Sequence, residues 1–140
     1  MESSRKKILL VDDEPHTLRL RGGRLRAWGF EVLTAEDGEA ALKKAGEARP
    51  ELLLLDVRLP KLDGFEVAYR LKSDPETRGI PIIIISAHAQ RSDVVRSRAL
   101  GVEGYLVKPV DSRILREEIN RLLNREEEYS DYVKTDPYRR

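Results

Sequence analysis

Two four-residue runs constrain this chain more than anything else in it. Leu52-Leu53-Leu54-Leu55 and Ile82-Ile83-Ile84-Ile85 are apolar at every position, with none of the alternation shown by a sheet that is wetted on one face. Strands of this kind are covered on both faces, so helices must pack on either side of a parallel sheet. Each run stops abruptly at a polar residue, Asp56 in the first case and Ser86 in the second. Three more short runs, Ile8 to Val11, Phe30 to Leu33 and Tyr105 to Val107, raise the count to five strands. The segments between them have the length and punctuation of helices. Strand and helix alternating five times predicts a doubly wound α/β domain.

The punctuation is specific. Glu14-Pro15 opens the first helix and Gly29 follows its last apolar residue, Trp28, matching the preference for proline at a helix start and glycine past its end. Asp63-Gly64 caps the third helix, Ser92 or Asp93 the fourth before Gly101 ends it, and Asp111-Ser112 the fifth. Gly22 and Gly23 fall inside the first helix, where each costs about 0.8 to 1 kcal/mol relative to alanine. They read as a weak point in a helix held by tertiary contacts. Residues 1–124 are expected to form the domain. From Arg125 apolar periodicity is lost, and 125–140, with Tyr129, Tyr132 and Tyr138, read as a polar, solvated extension of the last helix that frays.

Composition narrows the functions available. At 140 residues the chain has the length of one ordinary domain. Lys and Arg number 26 against 25 Asp and Glu, a formal charge of +1, so no global field calls for a nucleic acid or a membrane surface. Absence of cysteine removes disulfides, thiolate metal sites and cysteine nucleophiles, and fits a cytoplasmic setting. The first apolar run, Ile8 to Val11, is too short for a signal-peptide core or a membrane span.

Function must therefore come from local chemistry, and open parallel sheets place it outside the carboxyl ends of their strands. Asp12 and Asp13 follow the first strand, Asp56 the third, Ser86 the fourth and Lys108 the fifth. Carboxylates brought together repel one another, and the repulsion is relieved by a raised pKa or, more simply, by a bound divalent cation. Mg²⁺ suits such a site because it takes oxygen ligands, keeps several waters and binds through one or two carboxylates plus a phosphate oxygen. Asp13 and Asp56 are the expected direct ligands, with Asp12 acting through water. A carboxylate beside the metal can attack phosphorus to give an aspartyl phosphate. Lys108 and the metal would then offset the phosphoryl charge.

Four segments carry a family resemblance: Ile8-Leu-Leu-Val-Asp-Asp-Glu14, Leu54-Leu-Asp-Val-Arg-Leu-Pro60 with Asp63-Gly64, Ile84-Ile-Ser-Ala87 and Gly104-Tyr-Leu-Val-Lys-Pro109. In order and spacing, from about Lys6 to Asn124, they resemble the signature blocks of response-regulator receiver domains, the CheY-like modules of two-component signalling. The resemblance implies a flavodoxin-like sheet of order 2-1-3-4-5 with five helices. It also implies Asp56 as phosphoacceptor, Asp12 and Asp13 as the acidic metal pair, and the backbone carbonyl of Arg58 as a third protein ligand to Mg²⁺. Ser86 matches the switch hydroxyl, Lys108 the lysine that contacts the phosphoryl group, and Tyr105 the aromatic switch position. Lys108-Pro109 would be a cis peptide. Arg58 and His88 match the variable positions that tune the lifetime of the phosphoryl group.

The implied function is a switch rather than an enzyme acting on external substrates. A histidine kinase or phosphotransfer protein donates the phosphoryl group, the chain catalyses its own phosphotransfer and autodephosphorylation, and a surface formed by the fourth helix, fifth strand and fifth helix changes for a downstream protein target. A stand-alone cytoplasmic receiver, monomeric or weakly dimeric, with no direct nucleic-acid or membrane contact, is the expected form. An aspartate-nucleophile phosphatase is the competing enzyme reading, but such enzymes place a second acid where this chain has Arg58. A nucleotide site would need a glycine-rich loop where Asp12 and Asp13 stand. A module that binds partners without being phosphorylated is the third reading; failure to bind Mg²⁺ would favour it.

Overall fold

In the computed structural model, residues 5–88 and 90–124 are described, so the expectations for 125–140 lie outside the described residues. Ten elements alternate: β1 (Lys7–Val11), α1 (Pro15–Ala27), β2 (Glu31–Ala35), α2 (Gly38–Ala48), β3 (Leu52–Asp56), α3 (Gly64–Ser73), β4 (Ile82–Ser86), α4 (Arg91–Ala99), β5 (Gly104–Val107) and α5 (Ser112–Leu123). All strand pairs are parallel, and the order across the sheet is β2-β1-β3-β4-β5. The expected doubly wound architecture is the observed one.

The period of two along a strand explains why the central runs are apolar throughout. Leu9, Leu53, Leu55, Ile82 and Ile84 point to one face, where they meet Ala41 and Ala45 of α2 and Phe65, Ala68 and Leu71 of α3. Ile8, Leu10, Leu52, Leu54, Ile83 and Ile85 point to the other, against Leu18 and Leu25 of α1 and Leu115, Ile119 and Leu122 of α5. Every residue of Leu52–Leu55 and Ile82–Ile85 thus feeds one of two cores, and removing any of these side chains costs about 2 to 5 kcal/mol. By contrast, α4 buries only Ser97. It is the least anchored helix.

Two boundaries depart from expectation. The second strand runs Glu31–Ala35 rather than Phe30 to Leu33 because the end of α1 claims Phe30. Gly29 adopts φ 101°, its N–H donates to Arg26 O at 2.9 Å, and Phe30 N–H donates to Leu25 O at 3.1 Å. This is a Schellman closure, with Phe30 and Leu25 on the same core. The fourth helix is capped neither by Ser92 nor by Asp93: Gln90 O accepts from Asp93 N and Val94 N at 3.1 and 3.3 Å, which starts the helix earlier. Gln90 supplies no side-chain cap, and Asp93 lies in the first turn, where its charge still suits the helix dipole. The other caps form as expected, with Glu14 accepting from His16 N, Asp63 from Glu66 N and Asp111 from Arg113 N.

Neither interior glycine of α1 is required by close packing. A Cβ on Gly22 would meet the Arg26 guanidinium at 3.4 Å, and one on Gly23 would meet nothing within 4 Å. Gly23→Ala is therefore expected to stabilise the protein by about 0.8 to 1 kcal/mol. Gly29→Ala, forced into the left-handed region, is expected to destabilise it by about 1 to 2 kcal/mol. Urea unfolding midpoints that move in these opposite directions check both expectations.

Candidate functional site

Sheet register alone assembles the site. Val11 of β1 lies opposite Leu55 of β3, so Asp12 and Asp56 emerge side by side from the same edge. Asp56 lies opposite Ile85, and Ser86 opposite Val107, which brings Ser86 and then Lys108 to that edge too. The carboxylates of Asp12, Asp13 and Asp56 each offer an oxygen within 4.8 Å of the others. Asp12 and Asp56 are only 1% and 8% exposed, whereas Asp13 faces solvent. Lys108 Nζ donates to Asp56 Oδ2 at 3.0 Å and lies 3.7 Å from Asp12 Oδ2. The backbone ties the edge together, since Asp12 N–H donates to Ala35 O and Lys108 N–H to Ser86 O.

Asp12 is the most constrained of the acids. Its Oδ1 accepts from Glu14 N at 2.9 Å. Burial first, and then the Asp56 carboxylate, hold its carboxyl above the usual carboxylate range, against the lowering effect of the Glu14 amide and Lys108. A second cation, absent from the residues picked out by sequence, stands behind it: Arg21 Nη1 of α1 is 4.0 Å from Asp12 Oδ2. Burial lowers the Arg21 pKa, and the two acids oppose that shift.

The rim comes from loops. Gly64 makes α3 approach closely: a Cβ there would lie 2.5 Å from Asp56 O and 2.7 Å from Val57 Cα. Asp56 Oδ1 accepts from Arg58 N at 3.1 Å. Across the mouth, the Arg58 guanidinium hydrogen-bonds the His88 imidazole. Ser86, 2% exposed, accepts His88 N–H on its hydroxyl at 3.0 Å, while Tyr105 OH donates to His88 O at the same distance. Lys108-Pro109 is cis. An open pocket of about 580 Å³ adjoins the acids, lined by Asp13, Arg58, Asp63, Phe65 and Arg96 among others. All eight side chains expected from the sequence therefore lie at this edge or its rim.

Residues 8–120 match the family model for the response regulator receiver domain. The chain belongs to the response-regulator receiver family. Among curated relatives it is 41% identical, over 87% of its own length, to the alkaline phosphatase synthesis transcriptional regulatory protein PhoP of Bacillus subtilis, covering 50% of that protein. It is 37% identical to protein PilH of Pseudomonas aeruginosa, covering 84% of this chain and 97% of PilH. The chain spans half or less of the length of several larger relatives, including the response regulator PleD of Caulobacter vibrioides, 24% covered. Among solved structures, a CheY-like receiver domain protein from Methanospirillum hungatei superposes with TM-score 0.84 at 30% identity, covering 90% of this chain and 99% of that one. The receiver domain of a sensor histidine kinase from Pseudomonas aeruginosa, described with magnesium coordinated in its active-site cleft, gives TM-score 0.80 at 30% identity, covering 86% and 99%. The chain is thus a receiver domain of two-component signalling, a family of signalling switches rather than conventional enzymes. No helix among the described residues is long and apolar enough to cross a membrane.

The acidic cluster of this receiver fits a hard divalent cation: its donors are all oxygen, and three carboxylates share one small volume. Without a cation, burial and the neighbouring Asp56 carboxylate raise the Asp12 pKa. A carboxyl whose folded pKa lies above its unfolded one binds protons better when folded, so its ionisation lowers stability as pH rises through that raised value. In EDTA at pH 7, Asp12→Asn is therefore expected to melt at a higher temperature than wild type. The advantage should shrink as the pH is lowered through the carboxylate range, and thermal melts at stepped pH check it.

Proposed function

We propose that this receiver accepts a phosphoryl group on Asp56 from a histidine kinase or phosphotransfer protein, acts in the cytoplasm, and relays the change through its α4-β5-α5 surface to a protein target. The observation that carries the reading is Asp56 itself: a nearly buried carboxylate at the end of β3, held by Lys108 at 3.0 Å and adjoining two further acids. Mg²⁺ would be held by Asp13, Asp56 and the Arg58 carbonyl, with Asp12 acting through water, and when bound it offsets the charge on phosphoryl oxygens. A carboxylate oxygen of Asp56 attacks phosphorus, the donor's P–N bond breaks, and an acyl phosphate forms as the donor imidazole leaves. Lys108 moves its hydrogen bond from the carboxylate to a phosphoryl oxygen. Hydrolysis of the acyl phosphate by water restores Asp56 and releases inorganic phosphate.

The hydrogen bonds around His88 support the relay. If Ser86 turns its hydroxyl toward the phosphoryl group, the His88 amide loses its acceptor. The loop then shifts, and the bond from Tyr105 to the His88 carbonyl is released, freeing the ring to turn. Helix α4, with one buried residue, is the element most easily moved. Arg58 and His88, bridged over the mouth, would control water access and so the lifetime of the acyl phosphate.

Intact mass after incubation with a small acyl-phosphate donor tests the chemistry. The expected result is one Mg²⁺-dependent phosphoryl adduct in the wild type, none in Asp56→Asn, and formation slowed by about a hundredfold or more in Lys108→Met. A wild-type protein that is folded yet never modified would favour a receiver working by binding alone. Arg58→Ala combined with His88→Ala is expected to shorten the adduct's half-life several-fold, and an unchanged decay rate would remove those residues from rate control.

A further inference from the structure

Arg21 is an arginine where a helix facing a sheet ordinarily offers an aliphatic residue. It sits on α1 between Leu18 and Leu25, both on the core of that sheet face. Only 17% of its side chain is exposed, and its guanidinium ends 4.0 Å from Asp12 Oδ2. That oxygen also faces Lys108 at 3.7 Å, while Asp12 Oδ1 is taken by the Glu14 amide. Asp12 is therefore enclosed by two cations and an N–H donor. Its oxygens are committed within the protein, unlike those of solvent-facing Asp13.

We propose that Arg21 is a resident counter-cation of the metal site: it positions Asp12, steadies the metal-free receiver and weakens divalent-cation binding. The inference rests on the acidic cluster being the metal site and adds a residue that sets its affinity. Three carboxylates face two cations, Lys108 and Arg21, so one negative charge remains when all are ionised. Without Arg21 two would remain. A divalent ion then gains from the added negative charge, and the empty site suffers from it. Arginine suits this task because its guanidinium stays charged under partial burial, and its stem packs along the helix.

Calorimetric titration with Mg²⁺, together with melting curves in EDTA, tests the role in wild type, Arg21→Met, Arg21→Gln, Arg21→Lys and Asp13→Asn. Both neutral variants are expected to bind Mg²⁺ about tenfold tighter than wild type, the scale of removing a unit cation from beside a dication at partial screening. They should also melt lower in EDTA and gain more from Mg²⁺. Arg21→Lys, which keeps the charge, should stay near wild type. If the neutral variants unfold in EDTA, a Mg²⁺ series of melting points supplies the same ordering. Mg²⁺ that fails to bind wild type, or binds Asp13→Asn equally well, overturns the metal-site reading itself. Binding that depends on Asp13 but is no tighter in Arg21→Met and Arg21→Gln, or as tight in Arg21→Lys as in them, overturns the role of Arg21 alone.

Discussion

Parallel strands in a doubly wound sheet all end on one edge, and in this receiver the strand ends deliver like charges to a single point. Asp12, Asp13 and Asp56 would separate if their backbones were free. They cannot, because β1 and β3 are hydrogen-bonded in fixed register and locked between two layers of helices. The favourable burial of Leu52–Leu55 and Ile82–Ile85 thus holds an unfavourable charge cluster in place. What keeps the acids together is the rigidity of what lies behind them.

The same tension explains the surroundings of the cluster. Lys108, Arg21 and the amides of Glu14 and Arg58 all point at carboxylate oxygens. None of the buried side-chain polar atoms among the described residues is left without a partner, so charge rather than hydrogen bonding is what remains out of balance. Gly64 belongs to this arrangement through size: any side chain there would press on the backbone of Asp56 and Val57. Its absence of a Cβ lets α3 begin against the strand end and keeps the rim close to the acids.

Much of this was legible in the sequence, for a physical reason. A strand buried on both faces reads as an unbroken apolar run, so its polar terminator stands out, as Asp56 and Ser86 do at the ends of β3 and β4. Lys108 instead follows the half-buried edge strand β5 and is marked by its place in the order of strand ends. Signals that depend on hydrogen bonding across an element's end were harder to read. Phe30 is apolar and precedes a strand, yet its amide closes α1. Gln90 starts α4 with its carbonyl and not its side chain, while Ser92 and Asp93 resemble caps. Arg21 was missed because a helix bearing Arg19, Arg21, Arg24 and Arg26 reads as a solvated basic surface. The available clue was its place between Leu18 and Leu25, on a helix that starts beside two acids.

Magnitudes limit how such a receiver can switch. On the proposed function, phosphorylation would replace the single charge of the Asp56 carboxylate with a phosphoryl group carrying about −1.5 to −2 charges at neutral pH, a net gain of at most about one negative charge in a cluster that already carries more acids than cations. Moving a two-state surface from mostly off to mostly on takes about 5.5 kcal/mol of differential stabilisation, whereas one hydrogen bond to a charged group contributes about 1.5 to 3 kcal/mol. Ser86 alone would therefore be too weak a lever, and on the proposed function Lys108, Ser86 and a divalent cation would have to act together on the phosphoryl oxygens. The work required is small where the moving element is loosely held, and α4, seated by Ser97 and met at its neighbouring loop by the Tyr105 and Ser86 hydrogen bonds to His88, would be that element on the proposed function.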